Sequence, residues 1–155
     1  MSNARTACGW GVAGLGWVAT DFVVPAMVQA GQRVVACIGS SPEKTNAFAQ
    51  RFGVAHACRD LDALLHDPGV DAVYIALPNA MHHAAVLAAA RAKKHVLCEK
   101  PFAMNVEHAR EMVAACREAG VVLRIAHQIR LDAAIQRARE IVRSGRLGRL
   151  AEISL

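Results

Sequence analysis

The sequence predicts an α/β fold, a doubly wound parallel sheet, and three observations point to it. Strand-like and helix-like stretches alternate from one end to the other. Hydrophobic residues make up 54% of the chain and charged residues only 20%, as suits helices packed on a sheet buried on both faces. A glycine-rich turn, Gly14-Leu15-Gly16-Trp17-Val18-Ala19, joins the first apolar run to the first helical stretch. The 155 residues are enough for a single domain, 1–155, with a substantial core.

The first strand is the apolar run that ends at Ala13, and the turn after it has the pattern G-x-G-x-x-A. Gly14 lets the chain leave the strand sharply, and Gly16 lets a pyrophosphate approach a backbone that has no Cβ in the way. The small Ala19 lets the following helix lie close on its strand, and the helix start offers free N–H groups and a positive dipole end. Taken alone, the pattern fits an ordinary βα turn equally well. The helix is expected over 18–30, kinked or delayed by Pro25 and stopped by Gly31. A second strand follows at 33–38. Ser41 and Pro42 are an N-cap and first-turn proline for a helix that ends at Gly53.

A short strand at 54–58 and a small helix capped by Asp60 lead to the turn Asp67-Pro68-Gly69. Residues 71–77 read as a fully buried strand broken by Pro78-Asn79, and 80–92 as an alanine-rich helix. Residues 94–98 form the next strand. Asn105 caps a helix through Ala119, with Gly120 as its stop, before a sixth strand at 121–126 and a last helix at 131–144. Gly145 and Gly148 bracket a turn into a final apolar strand, 150–155.

A net charge of +5 suits an anionic ligand, but the basic residues are scattered over helices without an interleaved aromatic face, so nucleic acid is not an expected partner. No stretch has the length of a membrane span, and the first residues carry no apolar leader, so a cytoplasmic protein with no membrane partner is expected. The five cysteines show no metal-like spacing and read as buried free thiols. His82 and His83 diverge on a helix, and no metal site is expected.

In a sheet of this kind ligands bind beyond the carboxyl ends of the strands. Gly14–Ala19, Leu77-Pro78-Asn79, Glu99-Lys100-Pro101 and His127-Gln128-Ile129-Arg130 all fall there. Each could be turn punctuation. A Glu-Lys pair set directly after a buried strand and fixed by proline favours a positioned ammonium beside a carboxylate.

These stretches, with Ser41-Pro42-Glu43-Lys44, Phe48–Gly53, Asp71–Asn79, His82, His95–Pro101 and Gly145-Arg146-Leu147-Gly148, make the chain resemble the N-terminal half of the Gfo/Idh/MocA oxidoreductases. The resemblance covers essentially the whole chain and keeps motif order. It implies a nicotinamide dinucleotide as cofactor and hydride transfer to or from a sugar, polyol or related alcohol or carbonyl substrate. Gly14, Leu15, Gly16, Trp17, Val18 and Ala19 are then the pyrophosphate loop, and Leu77, Pro78, Asn79 and His82 line the cofactor path. Glu99 lies by the nicotinamide ribose, Lys100 is the catalytic, substrate-side lysine, and Gln128 and Arg130 complete the cofactor set.

Where NAD-preferring relatives carry an acidic residue after the second strand, this chain has Gly39, then Ser40 and Ser41 with Lys44 nearby, which favours NADP(H) over NAD(H). Relatives continue into a second α/β domain, which is expected to be missing here, so turnover of a small alcohol or sugar requires that domain to be supplied. The alternative function is a non-catalytic nucleotide-binding or regulatory module. An uncovered terminal strand would pair copies into a homo-oligomer.

Overall fold

The computed structural model describes residues 8–152. Six parallel strands form one sheet in the order β3-β2-β1-β4-β5-β6. They are β1 (Gly9–Ala13), β2 (Arg33–Ile38), β3 (His56–Ala57), β4 (Ala72–Ile75), β5 (His95–Cys98) and β6 (Leu123–Ile125). The chain winds outward from β1 through β2 to β3, then returns to the other side of β1 and winds through β4 and β5 to β6. The strand order therefore reverses between β1 and β4, and a crevice opens there beyond the carboxyl ends.

Side-chain alternation along each strand sorts the core into two layers. Val12, Cys37 and Tyr74 pack with Ala19, Val24, Met27 and Phe48 on one face. Ala13, Ala36, Val73, Ile75, Val96 and Cys98 pack on the other, against α3 (Leu61–Leu65), α4 (His82–Arg91) and α5 (Val106–Ala119). Tyr74, alone among the β4 side chains, brings a hydroxyl into this apolar setting.

The predicted stops and caps take the expected geometry. The Ser41 hydroxyl accepts from Lys44 N at the start of α2 (Pro42–Phe52), and Gly53 ends that helix at φ +66°. Asp60 and Asn105 cap α3 and α5, and Gly120 ends α5 at φ +72°. Pro25 does not delay the first helix, whose helical stretch already begins at 17. A π-turn, Ala19–Val23, precedes α1 (Val24–Gln29), and Val24 N–H reaches back to Ala19 O just before the proline, which has no N–H to give.

Four expectations are corrected. The strand at 54–58 shortens to two residues, because it is an edge with β2 as its partner. The helix at 80–92 opens as a 3-10 turn, Asn79–Met81, before α4 begins at His82. The last helix starts later than 131: Gln128–Leu131 is a 3-10 turn, and Asp132 caps α6 (Ala133–Arg143) by accepting from Ala134 N and Ile135 N. Residues 150–152 form no strand, and the rest of the expected strand falls outside the described residues. Among the described residues no helix is long and apolar enough to cross a membrane.

Candidate functional site

The glycine-rich turn sits in the crevice, tied to the strand ends on both sides. Gly14 N donates to Ile38 O of β2 at 2.9 Å, and Ala76 N donates to Ala13 O at 2.7 Å. Gly14 holds φ +98°, and a Cβ there would run into the Ala76 carbonyl and stand 2.8 Å from Leu77 N. The fold itself thus requires glycine at this position. Gly16 is different: its backbone is not in the left-handed region, and a Cβ would meet nothing within 4 Å. It opens onto free space at the start of a continuous helical stretch over 17–29. Ala19 is fully buried, as close packing of that helix demands, and Trp17 is 68% exposed, edge-on to Phe22 at 5.4 Å.

At the end of β2, Gly39 N donates to Thr45 Oγ1 at 2.9 Å, and Thr45 in turn donates to Ser41 O. A Cβ on Gly39 would stand 3.0 Å from Leu15 Cδ1 and 3.3 Å from Thr45 Oγ1, so the absent acidic side chain has little room. Ser40 and Lys44 are exposed, whereas Ser41 spends an acceptor pair on capping α2. Hydrogen bonds from the Ser41 hydroxyl and its own backbone hold the Glu43 carboxyl below its ordinary range.

The β4 and β5 ends meet through three buried polar groups. Glu99 is only 6% exposed; Tyr74 O–H donates to its Oε1 at 2.8 Å and Lys100 N–H to its Oε2 at 3.1 Å. Burial, then the hydrogen bond to Glu99 and its charge, push the Tyr74 phenol well above its ordinary value. Burial first and the Glu99 charge second push the neighbouring Cys98 thiol up to about 12. His82 is 0% exposed, with Nδ1 2.9 Å from Pro101 O and Nε2 2.9 Å from Leu77 O. Lys100 precedes a cis peptide bond to Pro101; it is exposed, and its ammonium has no partner among the described residues.

Of the sequence-selected residues, Gly14 to Ala19, Leu77, Pro78, Asn79, Glu99 and Lys100 therefore converge on one crevice. His82 is corrected from lining residue to support, because both ring nitrogens are occupied by backbone carbonyls. Gln128 and Arg130 are exposed on the turn after β6, the outermost strand on that side. Tyr74 and Thr45 lie outside the residues to which the sequence points. A lone tyrosine inside an apolar strand was the available signal, since a buried phenol finds an acceptor.

Residues 8–127 match the oxidoreductase family, NAD-binding Rossmann fold, of Gfo/Idh/MocA type. The chain belongs to that family. Its sheet is the Rossmann fold, with the doubly wound strand order and a glycine-rich turn after β1. The 1,5-anhydro-D-fructose reductase of Ensifer adhaerens is 44% identical over 140 residues, covering 90% of this chain and 42% of the reductase. A D-xylose 1-dehydrogenase (NADP(+)) of Haloferax volcanii is 38% identical over 136 residues, covering 87% of this chain and 42% of that protein. The solved WlbA dehydrogenase of Bordetella pertussis, in complex with NADH and UDP-GlcNAcA, superposes with a TM-score of 0.87 at 30% identity, covering 94% of this chain and 42% of its own. This Gfo/Idh/MocA chain thus spans less than half the length of each of these relatives.

Proposed function

We propose that this Rossmann domain holds NADP(H) in preference to NAD(H), within an enzyme that moves hydride between the nicotinamide and an alcohol or carbonyl carbon of a sugar or polyol. The observation that carries the cofactor reading is Gly16: neither backbone conformation nor packing asks for glycine there, yet the space its missing side chain leaves lies at a helix start. A pyrophosphate fits that space, with N–H groups of the first helical turn as donors.

In this reading Leu77, Pro78 and Asn79 line the dinucleotide path, and Glu99 accepts from the nicotinamide ribose. The bound nicotinamide supplies or receives the hydride. Lys100 then orients the substrate oxygen and shares its proton, a role that suits an ammonium with no partner among the described residues. The preference for the 2′-phosphate is supported by the lack of a carboxylate at Gly39, the crowding that disfavours one, and the exposed Ser40 and Lys44. The cofactors of these relatives include both NADP(+) and NADH, so the choice rests on these residues.

Titrating the chain with NADPH and with NADH, followed by tryptophan fluorescence, tests the reading. NADPH is expected to bind more tightly and to quench the exposed Trp17. Tighter NADH binding would reverse the cofactor assignment, and no binding of either to folded protein would remove the site.

A further inference from the structure

We infer that Thr45 is a positioning residue for cofactor choice: its buried hydroxyl latches the loop after β2 in the shape that receives a 2′-phosphate. Thr45 lies near the start of α2 and is only 2% exposed. Its Oγ1 donates to Ser41 O and accepts from Gly39 N, each at 2.9 Å. The first bond is ordinary for a helical threonine, whose hydroxyl reaches the carbonyl four residues back. The second is not, because Gly39 lies before the helix, and its N–H finds no other acceptor among the described residues. One hydroxyl therefore ties both ends of Gly39-Ser40-Ser41, and Ser41 O also accepts from Thr45 N at 3.0 Å. Ser40, between the two ties, is left exposed.

The surroundings give the latch its consequence. A Cβ on Gly39 would stand 3.0 Å from Leu15 Cδ1 and 3.3 Å from Thr45 Oγ1, so the loop is pinned between the glycine-rich turn and α2. The hydroxyl spends its one proton on Ser41 O. Toward Gly39 it presents only lone pairs, which match an N–H and oppose a carboxylate. Thr45 thus works in both directions: it disfavours the acidic group that would hold a free 2′-hydroxyl, and it fixes the backbone on either side of Ser40. With that backbone already ordered, less freedom is lost when a phosphate meets Ser40 and Lys44. The latch stands on the hydrogen bonds alone; its consequence for binding rests on the NADP(H) reading above.

Amide hydrogen exchange in the full chain, without cofactor, tests the latch. The Gly39 amide is expected to exchange more slowly than that of Ser40, and about tenfold faster in Thr45→Val, which keeps the volume and removes the hydroxyl. Thr45→Ser, which keeps the hydroxyl, is expected to retain the slow exchange. Equal exchange at Gly39 and Ser40 in the unaltered chain overturns the latch, whether or not the valine chain folds. Calorimetry with both dinucleotides tests the choice of cofactor. Thr45→Val is expected to weaken NADPH binding by about tenfold, the size of one lost hydrogen bond, and NADH binding by less than about threefold. Equal losses for the two, or an unchanged NADPH affinity, would overturn the specificity role. So would a serine chain that loses as much as the valine chain, since the hydroxyl would then not be the cause. Failure of the unaltered chain to bind either dinucleotide counts against the cofactor reading alone, because amide exchange decides the latch without it.

Discussion

A side chain at Gly14 would have to share space with the Ala76 carbonyl in a backbone already at φ +98°. Gly14→Ala is therefore expected to destabilise the fold by about 2–4 kcal/mol, the combined size of a left-handed non-glycine residue and an overpacked contact. Gly16→Val meets open space and is expected to leave stability within about 0.5 kcal/mol while weakening NADPH binding more than about tenfold. Denaturant unfolding and calorimetry on the two variants separate the roles. A Gly16→Val chain that binds NADPH as the unaltered one does would place the pyrophosphate elsewhere. Lys100 is to be read in a protein carrying the length its relatives have: Lys100→Ala is expected to abolish turnover and leave NADPH affinity within about threefold. An equal loss of affinity would make it a cofactor ligand instead.

The helices differ in what holds them. Asn105 accepts from His108 N at 2.8 Å and Gly120 closes the other end of α5, while Met112 and Cys116 anchor it in the core. Asn105→Ala is expected to cost about 1 kcal/mol and Met112→Ala about 2–5 kcal/mol, measured by chemical denaturation. By contrast α6 buries none of its residues and carries Ile135 and Val142 exposed. Removing the chain beyond Arg130 is therefore expected to leave the denaturation midpoint nearly unchanged. A loss as large as that of Met112→Ala would mean that α6 packs in solution on a surface it does not touch here.

For the molecule as a whole, the acid groups in its core set an alkaline limit. Burial raises Cys37 from 9.0 to about 11 and Cys98 to about 12, and the Tyr74 phenol is raised in the same direction. Each is protonated in the folded chain where the unfolded chain would already ionise. Their stabilisation is thus complete below about pH 9 and is lost as pH rises through the folded values. Stability is expected to fall between about pH 9 and about pH 12, with the Cys37 and Cys98 thiols inert to alkylation at about pH 8. Because Tyr74 is the only tyrosine, its absorbance reports the same event: no phenolate is expected until the chain unfolds. Phenolate appearing in the folded chain near its ordinary value would show that Tyr74 is not held by Glu99.

Local chemistry made much of this molecule legible before folding. The alternation of apolar runs with helical stretches, the caps at Ser41, Asp60 and Asn105, and the stops at Gly53 and Gly120 depend on neighbours within a few residues. The same holds for the turn from Gly14 to Ala19, and for the placing of Glu99 and Lys100 after a strand. What tertiary structure decided involves residues far apart in the chain. It separated Gly14, which the Ala76 carbonyl demands, from Gly16, which nothing among the described residues demands. It joined Tyr74 to Glu99 across two strands, and turned His82 from the crevice to two carbonyls 5 and 19 residues away. Spacing tells which residues reach a strand end; only the packed sheet shows which of their polar atoms remain free.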